Sequence, residues 1–219
     1  MSPIVGFVGF IGSGKGAAGD ILTEMGYVKD SFAKGVKDTA ALMFGWPRDL
    51  LEGDTEESRN WRETPDSYWS TKFGRDFTPR EALQKMGTEV GRDIFHNDFW
   101  VLQLENRLKT HNKPIVITDV RFPNEIESLR SIGAKIIWVE RGDRPIWYDW
   151  AVNYNRCQDK EHKLTMRIIS ELEESPFKYR IHESEWAWIG SEFDFIIDNN
   201  GTLQDLSNNV QDVLKQIGI

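Results

Sequence analysis

A glycine-rich segment between an apolar stretch and a helical pattern is the feature that most constrains how this chain folds. Residues 4–10 are almost continuously apolar, which is typical of a parallel β-strand covered on both faces. Residues 9–15, G-F-I-G-S-G-K, then match the pattern G-x-x-x-x-G-K, and apolar residues at helical spacing follow as far as Met25. This order of strand, loop and helix predicts a loop that binds phosphate through its backbone N–H groups and the amine of Lys15.

The loop predicts a nucleoside triphosphate ligand, ATP, together with Mg²⁺. We expect Lys15, in a solvent-facing loop, to place its charge beside the β- and γ-phosphates. The hydroxyl that usually follows the lysine and ligates Mg²⁺ is missing, because Gly16 stands there. Another carboxylate must then assist the metal, and Asp119, at the carboxyl end of a predicted strand, is the candidate ligand, directly or through water. The residues assigned to ATP are Gly12, Ser13, Gly14, Lys15, Gly16 and Ala17.

Short apolar runs that alternate with helical patterns predict the fold class. The predicted strands are residues 4–10, 27–32, 114–119, 134–139 and 193–197, and helical patterns separate most of them. Strands and helices that alternate along the chain favour an α/β fold with right-handed crossovers. We therefore expect a P-loop NTPase three-layer sandwich, in which a central parallel sheet has helices on both faces.

The polar residues between the predicted strands divide the expected domain into parts. Residues 47–77 are rich in Asp, Glu, Arg, Ser and Thr, and they predict a loop-rich insertion. The sequence T-P-R-E at 78–81 has the pattern of a capping box with proline in the first turn, so a helix should begin there. We expect one domain over residues 1–219, with an acceptor-binding insertion at about 47–110 and a lid at about 141–190.

The charge and cysteine content exclude several kinds of partner. The chain has 27 Lys+Arg and 35 Asp+Glu, a formal net charge of −8, so it lacks the basic character that unspecific binding to nucleic acid or to anionic membranes requires. It has no run of about 18 apolar residues, so no membrane span is expected. Cys157 is the only cysteine, which excludes an intramolecular disulfide and predicts a reducing compartment, the cytoplasm.

Several motifs together resemble those of the bacteriophage deoxynucleoside monophosphate kinases, a branch of the P-loop nucleoside monophosphate kinases. The matching motifs are G-S-G-K at 12–15, F-A-K-G-V-K-D at 32–38, R-E-A-L-Q-K-M-G-T-E at 80–89, D-V-R-F-P-N-E at 119–125, H-E-S-E at 182–185 and D-F-I-I-D-N-N-G-T-L-Q-D-L at 194–206. They occur in the family's order and span nearly the whole chain. The resemblance implies transfer of the γ-phosphoryl group of ATP to a deoxynucleoside 5′-monophosphate, in the host cytoplasm if the source is a phage. It leaves the oligomeric state open, with a homodimer as one option.

The resemblance also assigns, by matching motif, a set of residues to the acceptor nucleotide. They are Lys37, Arg80, Gly87, Thr88, Trp100, Asp119, Arg121 and Glu125. The chemistry of these residues agrees in part, because Arg80 and Arg121 can form paired hydrogen bonds to a phosphate. Trp100 could stack on a base or pack in the core. Gln84, one helical turn from Arg80, either reads a base edge or is an ordinary exposed residue.

Five charged residues are predicted to act in catalysis, and two alternative functions stay open. The residues predicted to act in catalysis are Lys15, Arg80, Asp119, Arg121 and Arg141. Arg141 and its neighbour Arg144 are candidate lid cations that stabilise the transferring phosphoryl group, or else they belong to a solvated loop. One alternative function is a P-loop kinase for another small metabolite, dephospho-coenzyme A or a nucleoside. The other is a non-catalytic nucleotide-binding switch, which the missing hydroxyl at Gly16 favours.

Overall fold

Two compact units make up the structure, a computed structural model that describes residues 2–170 and 172–218. The first unit is formed by Met1–Asp30 and His111–Ile219, and the second by Ser31–Thr110. The strands are β1 (Ile4–Val8), β2 (Val28–Asp30), β3 (Ile115–Ile117), β4 (Lys135–Glu140) and β5 (Phe195–Asp198). The helices are α1 (Lys15–Glu24), α2 (Lys34–Phe44), α3 (Glu56–Glu63), α4 (Ser67–Phe73), α5 (Pro79–Lys85), α6 (Phe99–Leu108), α7 (Pro123–Ser131), α8 (Tyr148–Arg156), α9 (Lys160–Ile169) and α10 (Leu203–Ile217). None of these described helices is long and apolar enough to cross a lipid bilayer.

The five strands lie in the first unit, where they form one parallel sheet of order β2-β3-β1-β4-β5. The predicted α/β fold with a central parallel sheet is therefore confirmed. β1 lies at the centre, with Gly6 paired to Ile117 of β3 and Val8 paired to Trp138 of β4. Because the strands are parallel, the loops that follow β1, β3, β4 and β5 all leave the sheet at its carboxyl edge, where α/β folds place their ligands.

Helices pack on both faces of this sheet. Val5 and Phe7 are fully buried on one face, in a core cluster that also contains Leu22 of α1 and residues of α10. Side chains alternate along a strand, so Gly6 faces the other side. There, a Cβ atom would lie 3.1 Å from Leu129 of α7. The sheet is thus the middle of three layers, as predicted.

The second unit is stabilised by an aromatic core. The indole of Trp46 donates a hydrogen bond to the Asp66 carboxylate at 2.8 Å, and that of Trp69 donates to the Phe44 carbonyl at 3.1 Å. Buried indole N–H groups need such acceptors, and these two fasten α4 and the residue before it to the end of α2. The buried members of the core are Val36, Ala40, Trp46, Leu51, Phe77, Ala82, Met86 and Trp100.

Residues 47–77 contain more regular structure than the sequence predicts. Instead of a loop-rich insertion, they include α3 and α4, which begin after Thr55 and Asp66. The Thr55 side chain accepts a hydrogen bond from the Ser58 N–H at 3.1 Å, and the Asp66 side chain accepts one from the Trp69 N–H at 2.8 Å. Such caps stabilise short helices. The prediction is wrong because α3 is almost entirely polar and has no apolar stripe that periodicity could detect.

The helix predicted after Thr78 is confirmed, but its continuation is not an α-helix. α5 begins at Pro79, and the Thr78 side chain accepts a hydrogen bond from the Glu81 N–H at 3.1 Å. The Glu81 carboxylate is paired with the guanidinium of Arg75 at 2.7 and 2.8 Å. Met86–Phe95 then form a π-helix. The sequence does not distinguish this conformation from an α-helix, and π-helical turns are frequent at functional sites.

Candidate active site

The loop between β1 and α1 has the backbone that its glycine pattern predicts. Gly9 and Gly14 adopt φ angles of 145° and 99°, which residues with a side chain rarely adopt. Both positions also lack room for a side chain. A Cβ atom at Gly9 would lie 2.4 Å from a backbone carbonyl oxygen of β4, and one at Gly14 would lie 2.2 Å from Asn199 Nδ2. Each of these two positions therefore requires glycine for two reasons, its positive φ and the lack of room for a Cβ atom.

The first turn of α1 has N–H groups available to an anion. Gly14 is the N-cap residue and has no side chain to accept their hydrogen bonds, and the first turn contains no acidic residue. The first four N–H groups of a helix have no partner within it, and the helix dipole adds partial positive charge. Phosphate groups bind at helix ends of this kind. The residues assigned to ATP, 12–17, surround this helix end.

The amine of Lys15 is half-buried and hydrogen-bonded to the loop that precedes it. Its Nζ donates to the carbonyl oxygens of Gly9 and Phe10, both at 2.7 Å. Burial and then the nearby charge of Arg121 lower the pKa of Lys15 to about 8, while two carboxylates act in the opposite direction. The loop is solvent-facing as expected, with Ile11 and Gly12 exposed, but the Lys15 side chain itself folds back over the loop and is half-buried.

Two carboxylates and an arginine lie near the Lys15 amine. The carboxylates that raise its pKa are Glu185, at the end of a short 3₁₀ turn, and Asp119, in the segment after β3. Arg121 Nη1 donates hydrogen bonds to Glu185 Oε1 and, at 3.3 Å, to Ser184 Oγ. β3 is the neighbour of β1 in the sheet, which places Asp119 and Arg121 at the same edge as the loop. The structure thus groups three of the predicted catalytic residues, and Glu185 is a fourth member that the sequence analysis missed.

Glu125 acts on the turn that carries Arg121. Its carboxylate is buried, and Oε2 accepts hydrogen bonds from the backbone N–H groups of Arg121 and Phe122 at 2.8 and 3.1 Å. α7 begins at the next residue, Pro123, so this carboxylate also caps a helix. These hydrogen bonds fix the turn that carries Arg121, and substrate binding by Glu125 stays a prediction.

The two arginines predicted as lid cations differ in their surroundings. Arg144 Nε donates to Glu140 Oε1 at 2.7 Å, and its guanidinium carbon lies 4.8 Å from the ring centroids of both Trp138 and Tyr148. These contacts hold Arg144 against aromatic residues of its own unit. Arg141 is exposed, and its catalytic role stays a prediction.

A metal ion would find few protein ligands. Within residues 2–170 and 172–218, no group of three or more His, Cys, Asp or Glu side chains could hold one. In nucleotide sites, Mg²⁺ is usually held by one or two carboxylates, by water and by phosphates of the substrate. Asp119, near the Lys15 amine, fits that requirement.

In the second unit, the predicted acceptor residue Lys37 is part of an ion-pair network. Lys37 Nζ donates to Glu52 Oε2, and Arg48 donates to the other oxygen of the same carboxylate and to Asp38. Burial acts to raise the pKa of Glu52, but the hydrogen bonds from Lys37 and Arg48 lower it more. The Lys37 amine is thereby held against the Glu52 carboxylate.

Arg62 is a functional candidate that the sequence analysis missed. Its Nε is buried and has no hydrogen-bond partner, and its Nη1 reaches the Glu52 carbonyl oxygen only at 3.4 Å. Burial and then the charge of Arg80 lower the pKa of Arg62, so the two guanidinium groups are near each other. Arg80 is exposed, with its Nε 3.9 Å from the Glu63 carboxylate. Two neighbouring arginines of this kind are suited to a phosphate.

Trp100 packs against the π-helix that carries Gly87 and Thr88. Its side chain is buried, and its Nε1 donates to the Gly87 carbonyl at 2.8 Å. Gly91 allows this close packing, since a Cβ atom there would lie 2.3 Å from Trp100 Nε1. Of the two roles predicted for Trp100, packing in the core describes its surroundings. Thr88 and Gln84 are exposed.

Comparison with known proteins identifies the family. The model of a family described as deoxynucleotide monophosphate kinase matches residues 52–151. A putative deoxynucleotide monophosphate kinase of Acanthamoeba polyphaga mimivirus is 31% identical over 151 residues, which cover 63% of this chain and 74% of the relative. The chain belongs to the deoxynucleotide monophosphate kinase family. This membership confirms the predicted activity, transfer of a phosphoryl group from ATP to a deoxynucleoside monophosphate.

A second member of the deoxynucleotide monophosphate kinase family matches a shorter segment. The deoxynucleoside-5′-monophosphate kinase of Escherichia phage T5 is 48% identical over 54 residues, 24% of this chain and 22% of that protein. Among solved structures, a shikimate kinase from Aquifex aeolicus aligns over 98% of both chains with 11% identity and a TM-score of 0.45. A dephospho-CoA kinase from Campylobacter jejuni aligns over 99% of this chain and 97% of its own, with 14% identity and a TM-score of 0.40. Similarities as distant as these two do not identify the acceptor.

Proposed function

We propose that this deoxynucleotide monophosphate kinase binds the triphosphate of ATP at residues 12–17, and that Lys15 directs transfer of the γ-phosphoryl group. The observation that carries this assignment is the position of the Lys15 amine. It lies at the start of a helix whose N-terminus has no side-chain cap, and near Asp119 and Arg121. A cation at a helix N-terminus provides both the fixed and the mobile positive charge that a triphosphate requires.

Lys15 contacts ATP by sharing its hydrogen bonds between the loop and the phosphates. An ammonium group has three donors, and two of them bind the carbonyl oxygens of Gly9 and Phe10. The third is free to bind a phosphate oxygen without loss of the loop contacts. A bound phosphate stabilises the charged amine and therefore raises the pKa of Lys15, opposite to the effect of burial.

Mg²⁺ is part of this proposal, held by phosphate oxygens and water with help from Asp119. When bound, the ion neutralises charge that develops on the transferring phosphoryl group. Asp119 follows β3, and it lies near enough to Lys15 to raise the pKa of that amine. This arrangement does not depend on the hydroxyl that Gly16 fails to provide.

In this proposal, two separate groups of arginines, each described within its own unit, are the candidates that bind the acceptor phosphate. Arg121 is presented by the turn that Glu125 fixes, and its present partner, Glu185, keeps its guanidinium oriented. In the second unit, Arg62 and Arg80 provide two neighbouring guanidinium groups. Paired N–H donors of this kind recognise phosphate with defined geometry. The exposed residues with a further role in the proposal are Gln84 and Thr88 at the acceptor and Arg141 as a lid cation.

The chemical step needs positioning and charge neutralisation more than proton transfer. An oxygen of the acceptor phosphate attacks the γ-phosphorus, a new P–O bond forms, and the bond to the β-phosphate oxygen breaks to release ADP. The acceptor is already an anion, so no residue has to remove a proton from it. Lys15 and the arginines lower the barrier by compensating the charge on the phosphoryl oxygens.

The test is ADP release from Mg-ATP by the purified protein, with dAMP, dGMP, dCMP, dTMP or dUMP added one at a time. We expect one or more of these to stimulate release, and the pattern identifies the accepted base. Stimulation by dephospho-coenzyme A or a nucleoside, with none by the five monophosphates, would favour a kinase for another metabolite. ATP binding with no stimulation by any acceptor would favour a nucleotide-binding switch.

A further inference from the structure

Asn199 connects the far end of the chain to the phosphate loop. It follows β5 and is 7% exposed, and its Nδ2 donates a hydrogen bond to the carbonyl oxygen of Ser13 at 2.8 Å. The two residues are 186 positions apart in the chain. The Asn199 backbone N–H also donates to the Glu140 carbonyl at 2.8 Å, which extends the pairing of β5 with β4 by one residue. The amide is thus fixed to the sheet and reaches into the loop.

The hydrogen bond from Asn199 sets the direction of one loop N–H group. The Ser13 carbonyl and the Gly14 N–H belong to the same peptide unit, and the chain contains no cis peptide bond among its described residues. In a planar trans peptide, the carbonyl and the N–H point in opposite directions. Because Asn199 holds the Ser13 carbonyl, the Gly14 N–H points away from Asn199.

The surroundings of Ser13 and Gly14 leave this peptide unit few alternatives. Ser13 is 2% exposed, and its N–H donates to the Phe10 carbonyl at 3.1 Å. Gly14 has a φ of 99°, and a Cβ atom there would lie 2.2 Å from Asn199 Nδ2. A glycine peptide has intrinsic freedom to rotate. The Asn199 amide removes this freedom at the position where α1 begins.

We propose that Asn199 is a positioning residue for the phosphoryl donor, which keeps the Ser13–Gly14 peptide in the orientation that binds the phosphates of a nucleoside triphosphate. This inference rests on the proposed binding of ATP at residues 12–17. Asn199 does not touch the nucleotide in this role. It acts by removing the need to order the peptide when the ligand binds, and a site that is already ordered binds more tightly.

The decisive variant is Asn199→Asp, which keeps the shape of the side chain but replaces the N–H donor by a carboxylate oxygen facing the Ser13 carbonyl. Asn199→Ala, which removes the amide without adding charge, is the second variant. The matched control is Asn208→Ala on α10, because Asn208 is exposed and its amide oxygen accepts from Gln204 at 3.1 Å. Binding of the non-hydrolysable analogue AMPPNP with Mg²⁺ is measured by calorimetry, and binding of the accepted monophosphate is measured separately.

We expect Asn199→Asp to weaken AMPPNP binding by about tenfold or more, since a buried carbonyl loses its partner and gains a repulsive neighbour. Asn199→Ala should weaken it less, and Asn208→Ala should leave it unchanged. Affinity for the monophosphate should stay within about twofold of wild type in all three variants. A role in packing alone would instead lower both affinities together with the melting temperature.

Amide hydrogen exchange provides a readout that does not depend on nucleotide binding. Asn199→Asp should speed exchange in residues 10–17 and leave β1 and α10 unchanged. Unaltered AMPPNP affinity and unaltered loop exchange in this variant would overturn the proposal. Failure of the proposed function gives a different result, because wild type itself would then not bind AMPPNP, while the exchange experiment would still report whether Asn199 orders the loop.

Discussion

The loop at residues 9–15 and the arginine region of the second unit, formed by Arg62 and Arg80, both have the chemistry to bind phosphate. They are built in different ways. The loop uses backbone N–H groups at the start of α1, and its shape depends on glycines with positive φ. The arginine region uses long side chains on α3 and α5, held by partial burial and by exposed ion pairs. A backbone site is fixed by the fold, whereas a side-chain site can adjust. Changes in the loop should therefore be close to all-or-none, and changes in the arginine region should be graded.

The largest effect is expected from Lys15→Ala. In the proposed mechanism, the variant removes a charge that stabilises the transferring phosphoryl group, so kcat should fall by about 10²- to 10³-fold. It also removes the two hydrogen bonds to the loop carbonyls, so KM for ATP should rise. Steady-state kinetics with saturating monophosphate separate the two effects.

The control for Lys15→Ala is Lys29→Ala, which removes an exposed lysine of the same unit that pairs with Asp20 at 2.9 Å. It should retain wild-type kinetics. A wild-type kcat for Lys15→Ala, with an unchanged melting temperature, would show that the loop assignment is wrong.

Gly14→Ala should have the next largest effect, and Gly26→Ala is its matched control. Both glycines have a positive φ, 99° and 96°, but space is open around Gly26, whereas a Cβ atom at Gly14 meets Asn199. Each variant should lose about 1 kcal/mol of stability through backbone strain. Only Gly14→Ala should also raise KM for ATP, by about 100-fold, because the loop must shift to accommodate the methyl group. Equal effects of the two variants on KM would show that strain alone, and not the contact with Asn199, governs the loop.

The sequence predicts structure well where particular residue types must occur at fixed spacing, and poorly where contacts join distant segments. β1, the loop and the start of α5 were predictable, because each requires particular residue types at fixed spacing: a buried apolar run, glycines before a lysine, or threonine before proline. Glu185 and Asn199 were not identified, although both lie in motifs that resembled the family, because their contacts cross from one distant segment to another. The direction of the Lys15 side chain could not be predicted for a related reason, since no sequence pattern reveals that it folds back onto the Gly9 and Phe10 carbonyls.

In the second unit, the sequence failed for a different reason. α3 has no apolar stripe, and the π-helix has the same side-chain pattern as an α-helix would. Arg62 is one of several arginines in a polar segment, and only the structure separates it from its neighbours by burying its Nε without a partner. A site built from side chains in this way is hard to recognise from the spacing of residues in the sequence.

Arg62→Ala should produce a moderate effect that distinguishes the two regions. Loss of one of two neighbouring guanidinium groups should raise KM for the monophosphate by about tenfold and leave KM for ATP unchanged. Arg59→Ala is the matched control, because Arg59 lies on the same helix but is exposed and donates to the Asp54 carbonyl at 3.0 Å. If Arg62 binds the phosphate, Arg62→Ala should weaken binding of the monophosphate but not binding of the corresponding deoxynucleoside, which lacks the phosphate. If the two variants have the same KM, Arg62 is a structural residue.

Glu81→Gln should have the smallest effect, and it tests how weakly the ion pairs of the second unit contribute. Hydrogen bonds from Arg75 lower the pKa of Glu81 to about 2, but the pair lies at the surface, where water and salt screen it, so its contribution to the free energy of unfolding should be small. A carboxylate whose pKa is lowered on folding stabilises the protein above its unfolded pKa, and the contribution disappears as pH falls towards the folded value. The difference in unfolding free energy between wild type and Glu81→Gln, measured with urea, should thus be present at pH 7 and shrink between about pH 4.5 and pH 2.

Glutamine keeps the backbone N–H that Thr78 caps, so the helix start should survive and the kinetics should not change. A loss of several kcal/mol would mean that this region is as rigidly determined as the phosphate loop, and the contrast between a backbone-built and a side-chain-built site would fail.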